Sequence, residues 1–279
     1  MSAASGSYYL PKPTHWPILG SIGLLTLAFG FALTINGYVP GPWLMLTGAL
    51  VIVLMLFGWF GTVVHESQGG MYNQQVDRSF RMGMGWFIFS EVMFFSGFFF
   101  ALFYLREIAV PIIGHDHLLW PGFHAAWPTS GPMGAPFTPM DAWGIPAINT
   151  LILLTSGATV TWAHWGLLKE NRKQLIFGLI LTIALGLTFV GLQAFEYYRA
   201  YTQFGMSLKA GVYGATFFLL TGFHGFHVTL GVIMLSTMLV RSIKGHFTPE
   251  HHFAFEAVTW YWHFVDVVWL FLFVFVYWL

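Results

Sequence analysis

The sequence contains no cysteine and few charged residues. Without cysteine the chain can form no disulfide, and it cannot hold an iron–sulfur cluster, copper or zinc through thiolates. Only 8% of its 279 residues are Asp, Glu, Lys or Arg, whereas a soluble domain has about 25%. The formal net charge is zero, which gives no reason to expect a nucleic-acid partner.

Apolar and aromatic residues make up most of the chain instead. Hydrophobic residues account for 57% of it and aromatic residues for 19%, with 30 Phe and 13 Trp. A water-soluble fold of this size could not bury so much apolar surface. The composition therefore predicts that lipid is the solvent.

Seven apolar runs are each long enough to cross a bilayer, which takes about 20 helical residues. The predicted fold class is all-α, a polytopic membrane protein with seven transmembrane helices. The runs cover residues 18–35, 43–64, 82–105, 143–168, 175–195, 210–240 and 253–279.

Breaks between the runs suggest how the chain is organised. A turn-rich stretch at 36–42 separates the first two helices, and a charged stretch follows the second. We predict an N-terminal segment with helices 1 and 2 at 1–64, and an inner loop at 65–81. Helices 3 to 7 follow at 82–279, with a long outer loop at 106–142. This pattern suggests a two-helix lobe and a five-helix lobe.

The distribution of Lys and Arg predicts the orientation, because cytoplasmic loops carry the excess of these residues. Eight lie on the side of the N-terminus and three on the other side. We therefore expect a cytoplasmic N-terminus and a C-terminus on the opposite side. The first group is Lys12, Arg78, Arg81, Lys169, Arg172, Lys173, Arg241 and Lys244, and the second is Arg106, Arg199 and Lys209.

Glu91 is the only formally charged residue inside the third apolar run. At 1.5 Å per residue it lies about 13 Å into the helix, close to the midplane. A charged side chain there costs roughly 2.5–3.5 kcal/mol. Glu91 is either a proton-handling carboxyl or a protonated side chain that only fixes helix packing, and the sequence leaves both readings open.

The last two helices also carry polar residues within their apolar runs. The three on helix 7 fall within about 80° of one another, so they form one polar stripe. The alternative is a carboxylate–histidine metal site built from Glu91, His224, His227, His263 and Asp266, but we favour an interhelical hydrogen-bond network. That network comprises His224, His227, Glu256, His263 and Asp266.

Basic residues cluster between helices 6 and 7, at the predicted inner surface. Arg241 and Lys244 are followed there by His246 and the pair at 251–252. Such patches bind lipid headgroups, although the same charges also serve as an orientation signal.

Three strings in the sequence are similar to those of one protein family. They are FSEVMFFSGFF at 89–99, GFHGFHV at 222–228 and WYWHFVDVVWLF at 260–271, the last preceded by HHF and FEA at 251–257. With them the chain resembles subunit III of a haem–copper cytochrome c oxidase. The opening residues Tyr8 to Pro11 and His15 to Pro17 are similar to those of bacterial members.

This resemblance implies an architecture and a role. Two helices and five helices would flank a cleft filled with phospholipid. The chain would bind no haem or copper, because both belong to subunits I and II, and cytochrome c would supply the electrons. It would contact subunit I, support its proton uptake and keep the complex active, with Glu91 as the family's carbodiimide-reactive glutamate.

The resemblance also implies a set of lipid contacts. Where many members have a histidine pair between helices 2 and 3, this chain has Gly-Gly-Met-Tyr-Asn at 69–73, so one headgroup contact differs. The long outer loop points to a bacterial member, and hence to the bacterial inner membrane. The residues implied in lipid binding are Phe60, Glu66, Arg81, Phe87, Arg241, Lys244 and His251.

Other classes of membrane protein fit less well. A subunit III of a quinol oxidase remains an alternative, and a proton-coupled transporter is a remote one because the broken helices and repeats of transporters are missing. A retinal protein needs a lysine in its last helix, whereas the last lysine here is Lys244.

Overall fold

The computed structural model describes residues 9–116 and 118–279, so Tyr8 of the N-terminal string lies outside it. Every regular element in these residues is helical. Seven of the helices are long and apolar enough to span a membrane, which confirms the predicted fold class. They are α1 (Trp16–Ile35), α2 (Gly41–Gln68), α3 (Gln74–His115), α4 (Ile145–Leu168), α5 (Arg172–Thr202), α6 (Val212–Ile243) and α7 (Phe253–Trp278).

The α3 helix is much longer than the bilayer is thick. Its 42 residues would extend about 63 Å. The predicted third helix ended at residue 105, but the chain continues as a π-helical turn (Tyr104–Ala109) and a final α-helical segment (Val110–His115). The wider turn precedes Pro111, which cannot donate a hydrogen bond to the preceding turn. The outer loop therefore begins only after His115.

The described residues form two compact units, Met1–Phe80 and Arg81–Leu279, and the boundary falls within α3. In the first unit α1 packs along α2. Glycines make this approach close: a Cβ atom on Gly48 would lie 2.5 Å from the backbone nitrogen of Leu27. Such small-residue contacts are the usual means by which helices associate in lipid, where no hydrophobic effect drives them together.

In the second unit, α4 to α7 pack around a common core. Helix α4 contacts α5 and α7, and α6 lies between α5 and α7. Trp262 of α7 is fully buried among these helices. Its indole nitrogen donates to the hydroxyl of Ser156 on α4 at 2.9 Å, and its ring rests against Gly186 of α5 and Gly231 of α6. This one side chain therefore connects all four helices.

From Arg81 onward, α3 contacts α6 and α7 mainly through phenylalanine side chains. The ring of Phe94 lies 5.1 Å from that of Phe223 on α6. The ring of Phe95 lies 6.0 Å from that of Phe264 on α7. The first contact is edge-to-face and the second is tilted, and aromatic rings at these separations attract each other. They also position Glu91, one turn before Phe95, opposite α6.

Candidate functional site

Glu91 of α3 meets His227 of α6 across the helix interface. Its Oε2 atom lies 2.9 Å from Nε2 of the histidine, and the two side chains are 21% and 11% exposed, respectively. Rings of Phe95 and Tyr261 flank the imidazole at 5.1 and 6.4 Å. The pair therefore lies in apolar surroundings, where a hydrogen bond is stronger than in water.

The second ring nitrogen of His227 determines which protonation states the Glu91–His227 pair can adopt. Its Nδ1 atom lies 2.6 Å from the carbonyl oxygen of Phe223, which can only accept, so Nδ1 must donate. A neutral imidazole then has Nε2 as an acceptor, and Glu91 must donate a proton to it. The other possibility is an ionised Glu91 beside an imidazolium. In both states one proton is shared between the two side chains.

A second polar group lies near the start of α7. Glu256 forms an ion pair with Arg81 of α3, and the guanidinium of Arg81 lies 5.6 Å from the ring centre of Phe253. Nε2 of His252 is 4.0 Å from the Glu256 carboxylate. The His252 ring in turn lies 5.4 Å from that of His164 on α4. Arg81, proposed from the resemblance to contact lipid, is therefore paired within the protein.

A third group joins α7 to α4. Nδ1 of His263 lies 3.4 Å from Oδ2 of Asp266, and its Nε2 lies 3.2 Å from the hydroxyl of Thr161 on α4. Gly157 faces this carboxylate, and a Cβ atom at that position would overlap it. The glycine thus lets Asp266 approach the backbone of α4.

His224 belongs to none of these groups. It is 1% exposed, and its ring stacks on that of Trp269 with centroids 5.2 Å apart. Neither of its ring nitrogens has a hydrogen-bond partner among the described residues. Across residues 9–116 and 118–279, no three His, Asp or Glu side chains converge as metal ligands would. The metal-site alternative therefore finds no support in the geometry.

The structure also contains a buried polar group that the sequence analysis missed. The hydroxyl of Tyr277 donates to Glu196 at 3.1 Å and accepts from Gln193 at 3.4 Å. Glu196 is 0% exposed. The predicted fifth helix ended at residue 195, so both polar residues read as the end of a span. Their i, i+3 spacing on a continuing helix is the signal that could have found them.

The residues implied in lipid binding divide between the two units. Phe60 and Glu66 lie in the first unit, where Phe60 is exposed. Glu66 accepts hydrogen bonds from the hydroxyls of Tyr9 and Tyr72 at 2.8 and 2.7 Å. Burial, this hydrogen bond and the charge of Glu66 raise the pKa of Tyr72. Both carboxylate oxygens of Glu66 are thus engaged within the unit.

The other implied residues lie in the second unit, where Phe87 is exposed. Arg241 is 8% exposed, and its guanidinium lies 4.5 Å from the ring centre of Phe247. Lys244 and His251 are exposed. Burial and the neighbouring Arg241 and Lys244 lower the pKa of His246, which favours its neutral form. Arg241 and Lys244 supply formal positive charge to the patch.

The fold and these ionisable pairs define a multi-pass helical membrane protein whose polar side chains are grouped between helices. Comparison with known proteins identifies the family within this class. The family model for cytochrome c oxidase subunit III matches residues 6–279. The chain belongs to this family, which confirms the resemblance, and it is a non-catalytic subunit of an oxidoreductase complex.

Curated relatives match along the whole chain. Cytochrome c oxidase subunit 3 of Cyprinus carpio is 42% identical over 279 residues, which cover 100% of this chain and 99% of the relative. The protein of the same name from Marchantia polymorpha is 44% identical over 272 residues, which cover 97% and 96%. That of Danio rerio is 40% identical over 279 residues, with 100% and 99% covered.

Proposed function

We propose that this chain is the core subunit III of a respiratory cytochrome c oxidase, which reduces oxygen and pumps protons. It lies against subunit I, in a complex with subunit II that takes electrons from cytochrome c, and it leaves haem and copper to these partners. The full-length family match supports this proposal. When the chain is purified from native membranes in mild detergent, haem absorption and cytochrome c oxidation should coelute with it. A fraction that contains the chain without haem would contradict the proposal.

We also propose that the chain resides in a bacterial inner membrane with its N-terminus in the cytoplasm. The relatives named above come from eukaryotes, but the excess of Lys and Arg on the N-terminal side supports this orientation. Because the chain has no cysteine, single substitutions give a clean test. An impermeant maleimide should label Lys209→Cys in intact cells, and Lys12→Cys only after the membrane is opened. The reverse pattern would refute the orientation.

Glu91 and His227 support proton delivery to subunit I in this proposal. Their side chains share one proton within the membrane-spanning parts of α3 and α6, where His227 is buried and the Glu91 side chain is 21% exposed. A Glu91→Gln variant separates proton handling from packing, because the amide can still donate to Nε2 but cannot give up a proton. We expect a lower proton-to-electron ratio or a shorter turnover lifetime in the purified complex.

The control is Glu91→Leu, which removes both the proton and the hydrogen bond. If Glu91→Gln behaves like the unaltered complex while Glu91→Leu is impaired, the carboxyl only fixes packing and the proton role is wrong.

Phospholipid binding is the third part of the proposal, with the patch of Arg241, Lys244 and His251 as one contact. Arg241 is largely buried and its Nε atom has no partner among the described residues, so a lipid phosphate is a suitable acceptor. The Arg241→Gln variant should lose a phospholipid that copurifies with the complex, as measured by mass spectrometry. Lys209→Gln, predicted on the other side, is the matched control, and equal lipid content in both variants would count against the patch.

A further inference from the structure

Tyr261 of α7 lies beside the Glu91–His227 pair and is only 3% exposed. Its ring is nearly parallel to the imidazole of His227, with an angle of 20° between the planes and 6.4 Å between the centroids. Its hydroxyl donates to the backbone carbonyl oxygen of the same histidine at 3.3 Å. One side chain of α7 therefore binds the backbone and faces the imidazole of the residue that meets Glu91.

The same ring also faces α3, the helix that carries Glu91. Phe87 lies four residues before Glu91, and its ring is 6.4 Å from that of Tyr261 at an interplanar angle of 23°. Residues four apart in a helix are neighbours on one face. Tyr261 thus lies against both of the helices that supply the pair.

The imidazole needs a restraint from outside its own helix. The hydrogen bond from Nδ1 of His227 to the carbonyl oxygen of Phe223 lies within α6, so it orients the imidazole only with respect to α6. The distance from the imidazole to Glu91 depends on the side chains that pack against both α6 and α3, and Tyr261 is one of them. A group that exchanges a proton must stay within hydrogen-bond reach of its partner.

We propose that Tyr261 is a positioning residue for this pair. Its ring holds the imidazole of His227 within hydrogen-bond distance of Glu91, and its hydroxyl fixes the ring to α6. The inference deepens the proposed function, because it rests on the proton role proposed for these two residues. Tyr261 is not itself a proton carrier in this arrangement, since its hydroxyl donates to a carbonyl oxygen that can only accept.

Tyr213 of α6 provides a matched control. It is also 3% exposed, its hydroxyl donates to the carbonyl oxygen of Val276 on α7 at 3.2 Å, and its ring stacks on that of Phe137 at 5.3 Å. Fourteen residues of α6, about 21 Å, separate it from His227. A general loss of packing should therefore affect substitutions of the two tyrosines alike, whereas a loss of positioning should be confined to Tyr261.

Infrared difference spectroscopy of the intact complex measures the hydrogen bond of the pair. The band of the Glu91 carboxyl is assigned by its absence in Glu91→Gln. We expect Tyr261→Leu to shift this band, because the hydrogen bond to His227 lengthens or breaks, and Tyr213→Leu to leave it in place. An unshifted band in Tyr261→Leu, or equal shifts in both leucine variants, would overturn the inference.

Phenylalanine substitutions give a milder version of the same test and decide it if leucine prevents assembly of the complex. Tyr261→Phe keeps the ring and removes only the hydroxyl, so it should shift the Glu91 band in the same direction as leucine but by less. Tyr213→Phe should not shift it. An unshifted band in Tyr261→Phe would contradict the role of the hydroxyl.

Turnover measurements separate positioning from packing. Tyr261→Leu should shorten the turnover lifetime or lower the proton-to-electron ratio, as Glu91→Gln is expected to do. In a Glu91→Gln background it should cause no further loss, because the glutamine has no proton to give up and the two effects act through one pair. A further loss in that background would contradict the inference. If Glu91→Gln itself changes neither quantity, the proposed proton role fails, while the infrared band still tests the positioning.

Discussion

Trp262 and Gly231 offer a sharp test of how the second unit is packed. A Cβ atom added at Gly231 would lie 2.7 Å from Cε3 of the indole. The ring has little room to retreat, because its far edge packs so close to Gly186 that a Cβ atom there would lie only 2.8 Å from it, and its nitrogen is hydrogen-bonded to Ser156. We therefore expect Gly231→Ala to strain the core by about 1–3 kcal/mol, the usual cost of overpacking.

The Trp262→Leu variant should relieve this strain. By itself it creates a cavity and should cost up to about 3–5 kcal/mol, the range measured for Trp→Ala. In that background the added methyl group at Gly231 has room, and alanine also favours the helix over glycine by about 0.5–1 kcal/mol. The two substitutions should therefore be non-additive, with a favourable coupling of about 1–3 kcal/mol.

The free energy of unfolding is measured by SDS titration in mixed micelles, followed by far-UV circular dichroism. Gly225→Ala on the same helix is the control, since no atom lies within 4 Å of its Cβ position. It should be neutral or slightly stabilising with either residue at position 262. If Gly231→Ala changes the free energy of unfolding equally with Trp262 and with leucine at that position, the close packing of Trp262 against Gly231 is refuted.

Two further predictions concern the paired charges. Glu66→Gln should lower the pKa of Tyr72 towards its usual value, because a hydrogen-bonded negative charge is removed while burial remains; a tyrosinate absorbance titration, read as the difference from Tyr72→Phe, measures this. Since folding raises that pKa, its stabilising contribution is present below about pH 10 and is lost as the pH rises further, and an unchanged pKa would contradict the assigned contact. Arg81→Gln should destabilise the chain by more than the 0–1 kcal/mol of a surface ion pair, and Arg81→Gln with Glu256→Gln should recover part of the loss in SDS titration. Additive losses would argue against the pair.

The number and order of the helices could be predicted from the sequence because lipid imposes one rule on every span. A run of apolar residues must be helical to satisfy its own backbone groups. The same rule says little about where a helix ends. Helix α5 continues past Glu196 to Thr202, and α3 continues past Arg106 to His115. Backbone hydrogen bonding extends beyond the hydrocarbon core, where polar side chains are no longer excluded.

Sequence periodicity could not predict how the polar side chains pair. A helical wheel gives the helix face on which a residue lies, but neither its position along the bundle axis nor its partner on another helix. Glu256 and Asp266 share one stripe of α7, yet ten residues separate them by about 15 Å along the axis. Glu256 pairs with Arg81 of α3, whereas Asp266 lies against Gly157 of α4. Even His224 and His227, on adjacent faces of one turn, diverge towards Trp269 and Glu91. One polar stripe thus serves two different interfaces, so the effect of replacing a single member must be interpreted at its own level of the bundle.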